Sequence, residues 1–218
     1  NLATLPDNIL RMRHEEILCE KTYNDDDILT SEEWSLDGWP HRTDGPAVQQ
    51  WNKFGDLTYK AWYFHGQMHR TDGPAESVWE DYNGEDVDAD VYDPEEVSLV
   101  YERWYLHGQQ HREDGPAEST WLGSGLTGQE WYLYGKRHRI DGPADVFCEC
   151  GERTETWYMD GKISRWDGPA KQYWWSGNFV DIHIGSHDDD WWKDKLKYSH
   201  YYFDGDQVTQ EQHRRRRI

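Results

Sequence analysis

The sequence predicts an all-β protein: an antiparallel meander of stacked β-hairpin repeats, about 10–12 strands in all, with a short N-terminal helix. Three observations carry this. A heptapeptide recurs as HRTDGPA from position 41, HRTDGPA from 69, HREDGPA from 111, HRIDGPA from 138 and SRWDGPA from 164. A looser signature stands ahead of each copy: WSLDG from 34, WYFHG from 62, WYLHG from 104, WYLYG from 131 and WYMDG from 157, with a sixth, YYFDG from 201, that no DGPA follows. Fourteen Trp and fourteen Tyr accompany only five Phe; these side chains favour extended backbone and bring much apolar area per residue.

The heptapeptides are offset by 28, 42, 27 and 26 residues, a period near 27 broken once by an insertion between the second and third copies. Repetition at this period means units that bury their faces against one another. The organisation that follows is an N-terminal helical cap over 1–30, a repeat domain over 31–210, and a basic tail over 211–218. Within the domain the units lie near 33–60, 61–84, 102–128, 129–156 and 157–180, with a degenerate unit at 198–209 and an acidic insertion at 85–98.

In the cap, Pro6 near a helix start, Asp7 behind it, and Leu10, Ile17 and Leu18 on one face predict a helix over the open edge of the sheet. In each unit an aromatic strand meets a two-residue turn such as His65-Gly66 or Asp160-Gly161, where Gly permits a positive φ. The chain returns and meets the heptapeptide. There Asp72 can accept hydrogen bonds from nearby N–H groups, Gly73 tolerates a φ closed to other residues, and Pro74 fixes its own φ and cannot donate to a ladder. AVQQW, AESVW, AESTW and AKQYW then place Trp four residues after Ala, on the same face of the next strand.

Whether the recurring His, Arg and Asp form a chemical site or a corner is decided by what varies. Arg, Asp, Gly, Pro and Ala stand in all five copies, while His gives way to Ser164 in the last. A reactive site would hold its reactive groups and let the backbone residues drift. The sequence therefore assigns structural turn roles to Arg42, Asp44, Gly45 and Pro46, to Arg70, Asp72, Gly73 and Pro74, and to Arg112, Asp114, Gly115 and Pro116. The same roles fall to Arg139, Asp141, Gly142 and Pro143, and to Arg165, Asp167, Gly168 and Pro169, with each Arg placed to bond turn carbonyls or an Asp.

Other chemistry is thin. No G-x-S-x-G or phosphate-loop pattern is present, and GSGLTG from 123 lacks the Lys. His41, His69, His111 and His138 recur on units spaced about 10 Å apart, too far to share an ion. Cys148 and Cys150 lack a second ligand pair at a fitting distance, and three cysteines including Cys19 are no disulfide framework. Asp86, Asp88 and Asp90 copy the first ligand positions of an EF-hand, but Val91 stands where Gly is needed and Val97 where a bidentate Glu belongs. The expectation is a non-enzymatic protein with no catalytic residue, metal or cofactor.

The formal charge of -20, from 43 acidic and 23 basic residues, argues against a phosphate-binding surface and for a basic partner. Asp86, Asp88, Asp90, Glu95, Glu96, Asp188, Asp189 and Asp190 are the candidate partner-binding residues. The four Arg of the tail, 214–217, read as solvated. No apolar run approaches a membrane span, and the first 30 residues lack a signal-peptide pattern; the chain reads as a soluble intracellular protein.

The pattern W-Y-x-x-G-x-x-H-R-x-D-G-P-A, over about residues 33 to 205, resembles the repeats of MORN-like proteins of bacteriophages and giant viruses. The resemblance implies a β-hairpin array of viral origin in the host-cell cytoplasm or the virion, and brings no catalytic residues with it. The expected function is an acidic protein-binding module that engages and inhibits a host factor, with its carboxylates imitating nucleic acid. The expected partner is a host or viral protein with a basic surface, not nucleic acid itself and not a membrane. Two alternatives stand beside this reading: a virion structural or assembly protein, and a small-molecule sponge or metal-dependent hydrolase.

Overall fold

The computed structural model describes residues 17–81, 97–149, 151–175 and 196–216. The chain runs back and forth across one open antiparallel sheet. Strands β1 (Ile17–Tyr23) and β2 (Leu29–Leu36) begin it, and β3 (Trp39–Pro40) folds back onto β2. β4 (Val48–Trp51) and β5 (Leu57–Ala61) follow, then a small hairpin, β6 (Tyr63–Phe64) with β7 (Gln67–Met68). The pattern repeats as β8 (Glu76–Asp81), β9 (Val97–Arg103), β10 (Tyr105–Leu106) and β11 (Gln109–Gln110). It repeats again as β12 (Glu118–Leu122), β13 (Gly125–Glu130), β14 (Tyr132–Leu133) and β15 (Lys136–Arg137), and again as β16 (Asp145–Glu149), β17 (Glu152–Thr156), β18 (Tyr158–Met159) and β19 (Lys162–Ile163). β20 (Lys171–Trp175), β21 (Leu196–Phe203), β22 (Asp206–Val208) and the helix α1 (Gln210–Arg216) close the array.

The long strands pair in the order β1-β2-β4-β5-β8-β9-β12-β13-β16-β17-β20-β21-β22. Sequence order is therefore spatial order, the meander expected. Each unit adds two long strands to the sheet and one small hairpin at its end. The small hairpins need two successive left-handed residues, and they have them: Asp37-Gly38, His65-Gly66, His107-Gly108, Tyr134-Gly135, Asp160-Gly161 and Asp204-Gly205 all take positive φ. These turns lie at one end of the sheet. β8 and β9, between which the acidic insertion falls in the sequence, pair as the corresponding strands of the other units do.

The buried core is thin and runs along the heptapeptides. Ala47, Ala75, Ala117, Ala144 and Ala170 are fully buried. Each takes part in main-chain bonding across its unit: Ala75 accepts from Trp62 N–H at 2.8 Å and donates to the Arg103 carbonyl at 2.8 Å. The small, fully buried side chain at this place recurs in every unit, with DGP always followed by Ala.

Three expectations require correction. Ile17–Tyr23 is a strand rather than part of a helix: Ile17 pairs with Leu36 and Lys21 meets Glu32 at 2.9 Å, so cross-strand partners override a one-face helical pattern. Leu29 onward belongs to β2, and residues 1–16 of the supposed cap lie outside the described residues. The long meander is the one expected, and the described residues hold 22 strands in all because the small hairpins count separately. The basic tail is not simply solvated: from Gln210 to Arg216 it forms α1, and His213 is buried against the last full unit. Finally, the glycines of the DGPA turns do not take positive φ, and a different cause for them appears below.

Candidate functional site

The heptapeptides form a ladder of near-identical corners. In each, the Arg guanidinium lies over the ring of the Trp that opens its own unit. The separations are 4.4 Å for Arg42 over Trp34 and 4.0 Å for Arg70 over Trp62, Arg112 over Trp104, Arg139 over Trp131 and Arg165 over Trp157. Its Nε donates to the Asp two residues on, at 2.6–2.8 Å in all five copies. Its Nη1 donates to the carbonyl of Pro46, Pro74, Pro116, Pro143 or Pro169 at 3.2–3.4 Å. The planar, forked cation thus bonds two acceptors within its own turn while lying over an aromatic face, a combination Lys cannot supply.

The Gly of the turn closes the other side of the guanidinium. A Cβ at Gly73 would stand 2.7 Å from Arg70 Cζ, and at Gly115 and Gly142 it would stand 2.9 Å from the corresponding atom. Close approach, not left-handed backbone, excludes side chains here. Gly168 is the loosest of the five, its added Cβ lying 3.4 Å from Arg165 Cζ.

The His of the heptapeptide acts between units. His41 Nδ1 accepts the N–H of His65 at 3.0 Å, His69 that of His107 at 3.1 Å, His111 that of Tyr134 at 3.2 Å and His138 that of Asp160 at 3.2 Å. Each donor is the first left-handed residue of the following hairpin. In the last copy Ser164 Oγ accepts from Asp204 N–H at 3.4 Å. Ser replaces His because a single acceptor is what the position requires. Main-chain bonds run beside these ties, from Gly66 to the Pro40 carbonyl at 2.9 Å and likewise from Gly108, Gly135, Gly161 and Gly205 to the unit before.

The chemistry of this ladder is that of a fixed acceptor surface. The Arg side chains are mostly covered, 21–26% exposed, whereas Asp44, Asp72, Asp114, Asp141 and Asp167 are 66–82% exposed. Hydrogen bonding and charge from the adjacent Arg hold the carboxyls of Asp44, Asp72, Asp114 and Asp141 below the usual range, so they stay ionised. Successive corners are two strands apart, about 10 Å. Between them lie shallow grooves, about 650 Å³ between the first and second corners, about 510 Å³ between the third and fourth and about 570 Å³ between the fourth and fifth.

Nothing in this arrangement gathers reactive groups. Among the described residues no three of His, Cys, Asp or Glu come together as metal ligands. The His Nδ1 atoms are already engaged, and the imidazoles meet in tilted pairs, His41 with His65 at 4.5 Å and His69 with His107 at 4.3 Å between ring centres. Asp86, Asp88, Asp90, Glu95, Glu96, Asp188, Asp189 and Asp190, along with Cys150, lie outside the described residues.

Sequence reasoning left the two faces of the sheet unassigned, and register resolves them. Lys60 places its ammonium 5.4 Å from the Trp62 ring and 4.9 Å from that of Trp79, so these Trp share the face of the guanidinium stacks. The opposite face carries Tyr and ion pairs. Arg103 lies over Tyr101 at 4.1 Å and bridges Glu76 at 3.4 Å and Glu118 at 3.1 Å, while Arg137 meets Glu130 at 2.7 Å and Asp145 at 3.8 Å. Glu76, Arg103, Glu118, Glu130 and Asp145 are directly opposite one another on consecutive strands. The signal was present in the sequence as alternation, but only the register shows which residues face each other.

Fold and ladder together define an open antiparallel array of β-hairpin repeats whose recurrent residues bend each unit and join it to the next. No protein-family model, curated protein or solved structure matches the chain.

Proposed function

We propose that this protein is a non-enzymatic, acidic binding module that takes a protein partner with a basic surface along its ladder of corners. The observation that carries the reading is the row of exposed, ionised carboxylates, each held in one orientation by a covered Arg. A pre-ordered row loses little conformational freedom on binding, and a net charge of -20 speeds encounter with a cationic surface. The resemblance of the repeat to those of phage and giant-virus proteins supports a viral setting, in which the partner is a host factor held and inhibited and the carboxylates stand in for phosphates. Host proteins retained on the immobilised chain, followed across about 0.05 to 0.5 M salt, test this. Retention should fall steeply with salt and weaken in a D72N/D114N/D141N variant; salt-independent retention overturns the reading.

A second reading, assembly, is favoured by one observation. β1 pairs only with β2 among the described residues, and Ile17, Leu18 and Tyr23 on it are exposed. Light scattering separates the two, since an assembly protein grows with concentration and a binding module alone does not.

A further inference from the structure

The position between Arg and Asp in the heptapeptide is occupied by Thr43, Thr71, Glu113, Ile140 and Trp166 in turn. The corner itself does not need an apolar residue there, since it forms with the same hydrogen bonds around Thr and Glu. Yet the last two copies place Ile140 and Trp166 in solvent, 84% and 58% exposed. They stand on the groove between the fourth and fifth corners, whose walls also include Met159 and Phe203. Exposed apolar side chains clustered around a groove mark a contact site, and a Trp beside aliphatic groups makes a strong anchor.

Two observations indicate the ligand. The groove is flanked by the exposed carboxylates of Asp141 and Asp167, while the cations that pair with them are covered by Trp131 and Trp157. The chain's own Arg216 also lays its guanidinium over Phe203, 5.4 Å from the ring centre, at the groove's wall. A cation is therefore accepted at the rim and an apolar side chain in the middle.

We propose that this groove is the anchor point for a partner segment carrying two Arg about three residues apart with a bulky apolar residue between them. The spacing follows from the two corners, about 10 Å apart, and a polyproline-II chain advancing about 3.1 Å per residue with three residues per turn, which points both Arg to the same side. The Arg pair meets Asp141 and Asp167, and the apolar side chain packs among Ile140, Met159 and Trp166. This rests on the acidic reading above and adds to it a place and a sequence preference.

The test uses the full chain and fluorescein-labelled peptides GRLSRG, GRSSRG and GELSEG, followed by anisotropy at protein concentrations up to about millimolar, as suits short ligands. GRLSRG should bind roughly ten-fold more tightly than GRSSRG, and GELSEG should not bind. An I140T/W166T variant carries at both positions the residue the first two corners use, so its fold is retained; it should reduce GRLSRG binding to the level of GRSSRG. No binding of GRLSRG, or binding unchanged in I140T/W166T, overturns the proposal. Equal, salt-sensitive binding of GRLSRG and GRSSRG overturns the groove and leaves the carboxylate ladder standing. Binding of GELSEG as tight as that of GRLSRG overturns both. Self-association of the chain, lost in I140T/W166T, would make a second copy the occupant and overturn the proposal as well.

Discussion

The Nδ1 atom of His69 accepts a hydrogen bond at 3.1 Å from the main-chain N–H of His107, the left-handed residue that opens the next small hairpin, and the two rings lie 4.3 Å apart. Because the donor is a main-chain N–H, Nδ1 must be unprotonated, and His69 holds the joint as the neutral imidazole. Burial, and secondarily the charge that His107 can carry, push its pKa below the ordinary value. The corresponding position in the last heptapeptide is Ser164, which accepts from Asp204 without titrating.

Stability should therefore fall as the solution is acidified. A folded-state pKa below the unfolded one means the unfolded chain takes up the proton more readily. The stability His69 contributes is present above the unfolded value, about 6.5, and is lost as pH falls through the depressed folded value. The melting temperature followed by circular dichroism should decline over that window, and H69S, which copies the natural Ser164, should flatten the decline. A profile identical in H69S and the parent would assign the pH dependence elsewhere.

Arg112 should not be replaceable by Lys. The ammonium keeps the charge but cannot lie over Trp104 while bonding both Asp114 and the Pro116 carbonyl. R112K should lose about 1 kcal/mol in urea unfolding, mostly from the lost stack. An unchanged midpoint would mean that charge alone holds the corner.

The glycines of the corners should differ among themselves. G73A drives a methyl to 2.7 Å from Arg70 Cζ and must displace the guanidinium from Trp62, costing about 1–3 kcal/mol. G168A meets Arg165 at an ordinary 3.4 Å and should stay within about 0.5 kcal/mol of the parent. Equal losses in the two variants would return the cause to backbone conformation.

That contrast also marks where the sequence stopped being legible. Recurrence of Asp, Gly and Pro identified a corner and gave the meander, because turn chemistry and period are local. It could not reveal that Gly73 is kept by a guanidinium packed on it, since that contact depends on where Trp62 lies in three dimensions. Ile17 and Leu18 fit a helical face equally well until the partner strand at Leu36 and Ser35 is known. Cys148 is a further case. It occupies the place of the Trp that ends AVQQW, AESVW, AESTW and AKQYW, and it is fully buried. The hairpins holding Trp51, Trp79, Trp121 and Trp174 each carry a bulge beside the Trp, while the pairing of Cys148 with Arg153 is regular. The exception coincides with the change from Trp to Cys, which a motif search for Trp passes over. The exposed Ile140 and Trp166 were hidden for the opposite reason: they fall at the one variable position of the heptapeptide, where variation reads as tolerance.

The helix α1 offers the sharpest test of how far one unit braces the next. Thr209 caps α1, its Oγ1 accepting from Gln212 N–H at 3.1 Å while the Gln212 side chain accepts from Thr209 N–H at 2.8 Å. His213, 1% exposed, is carried onto the last heptapeptide, where Nε2–H donates to the Arg165 carbonyl at 2.7 Å and the ring lies 5.2 Å from Tyr201. The helix α1 is thus fixed to the unit before it through one buried side chain. H213A leaves the carbonyl without this donor and removes the buried ring, so the loss should be about 1–3 kcal/mol. Because each unit bonds mainly to its neighbours, amide exchange should quicken in α1, β22 and β21 and leave β4 and β5 unchanged. Uniform loss of protection across every unit would mean that the array unfolds as one body and that the helix braces all of it.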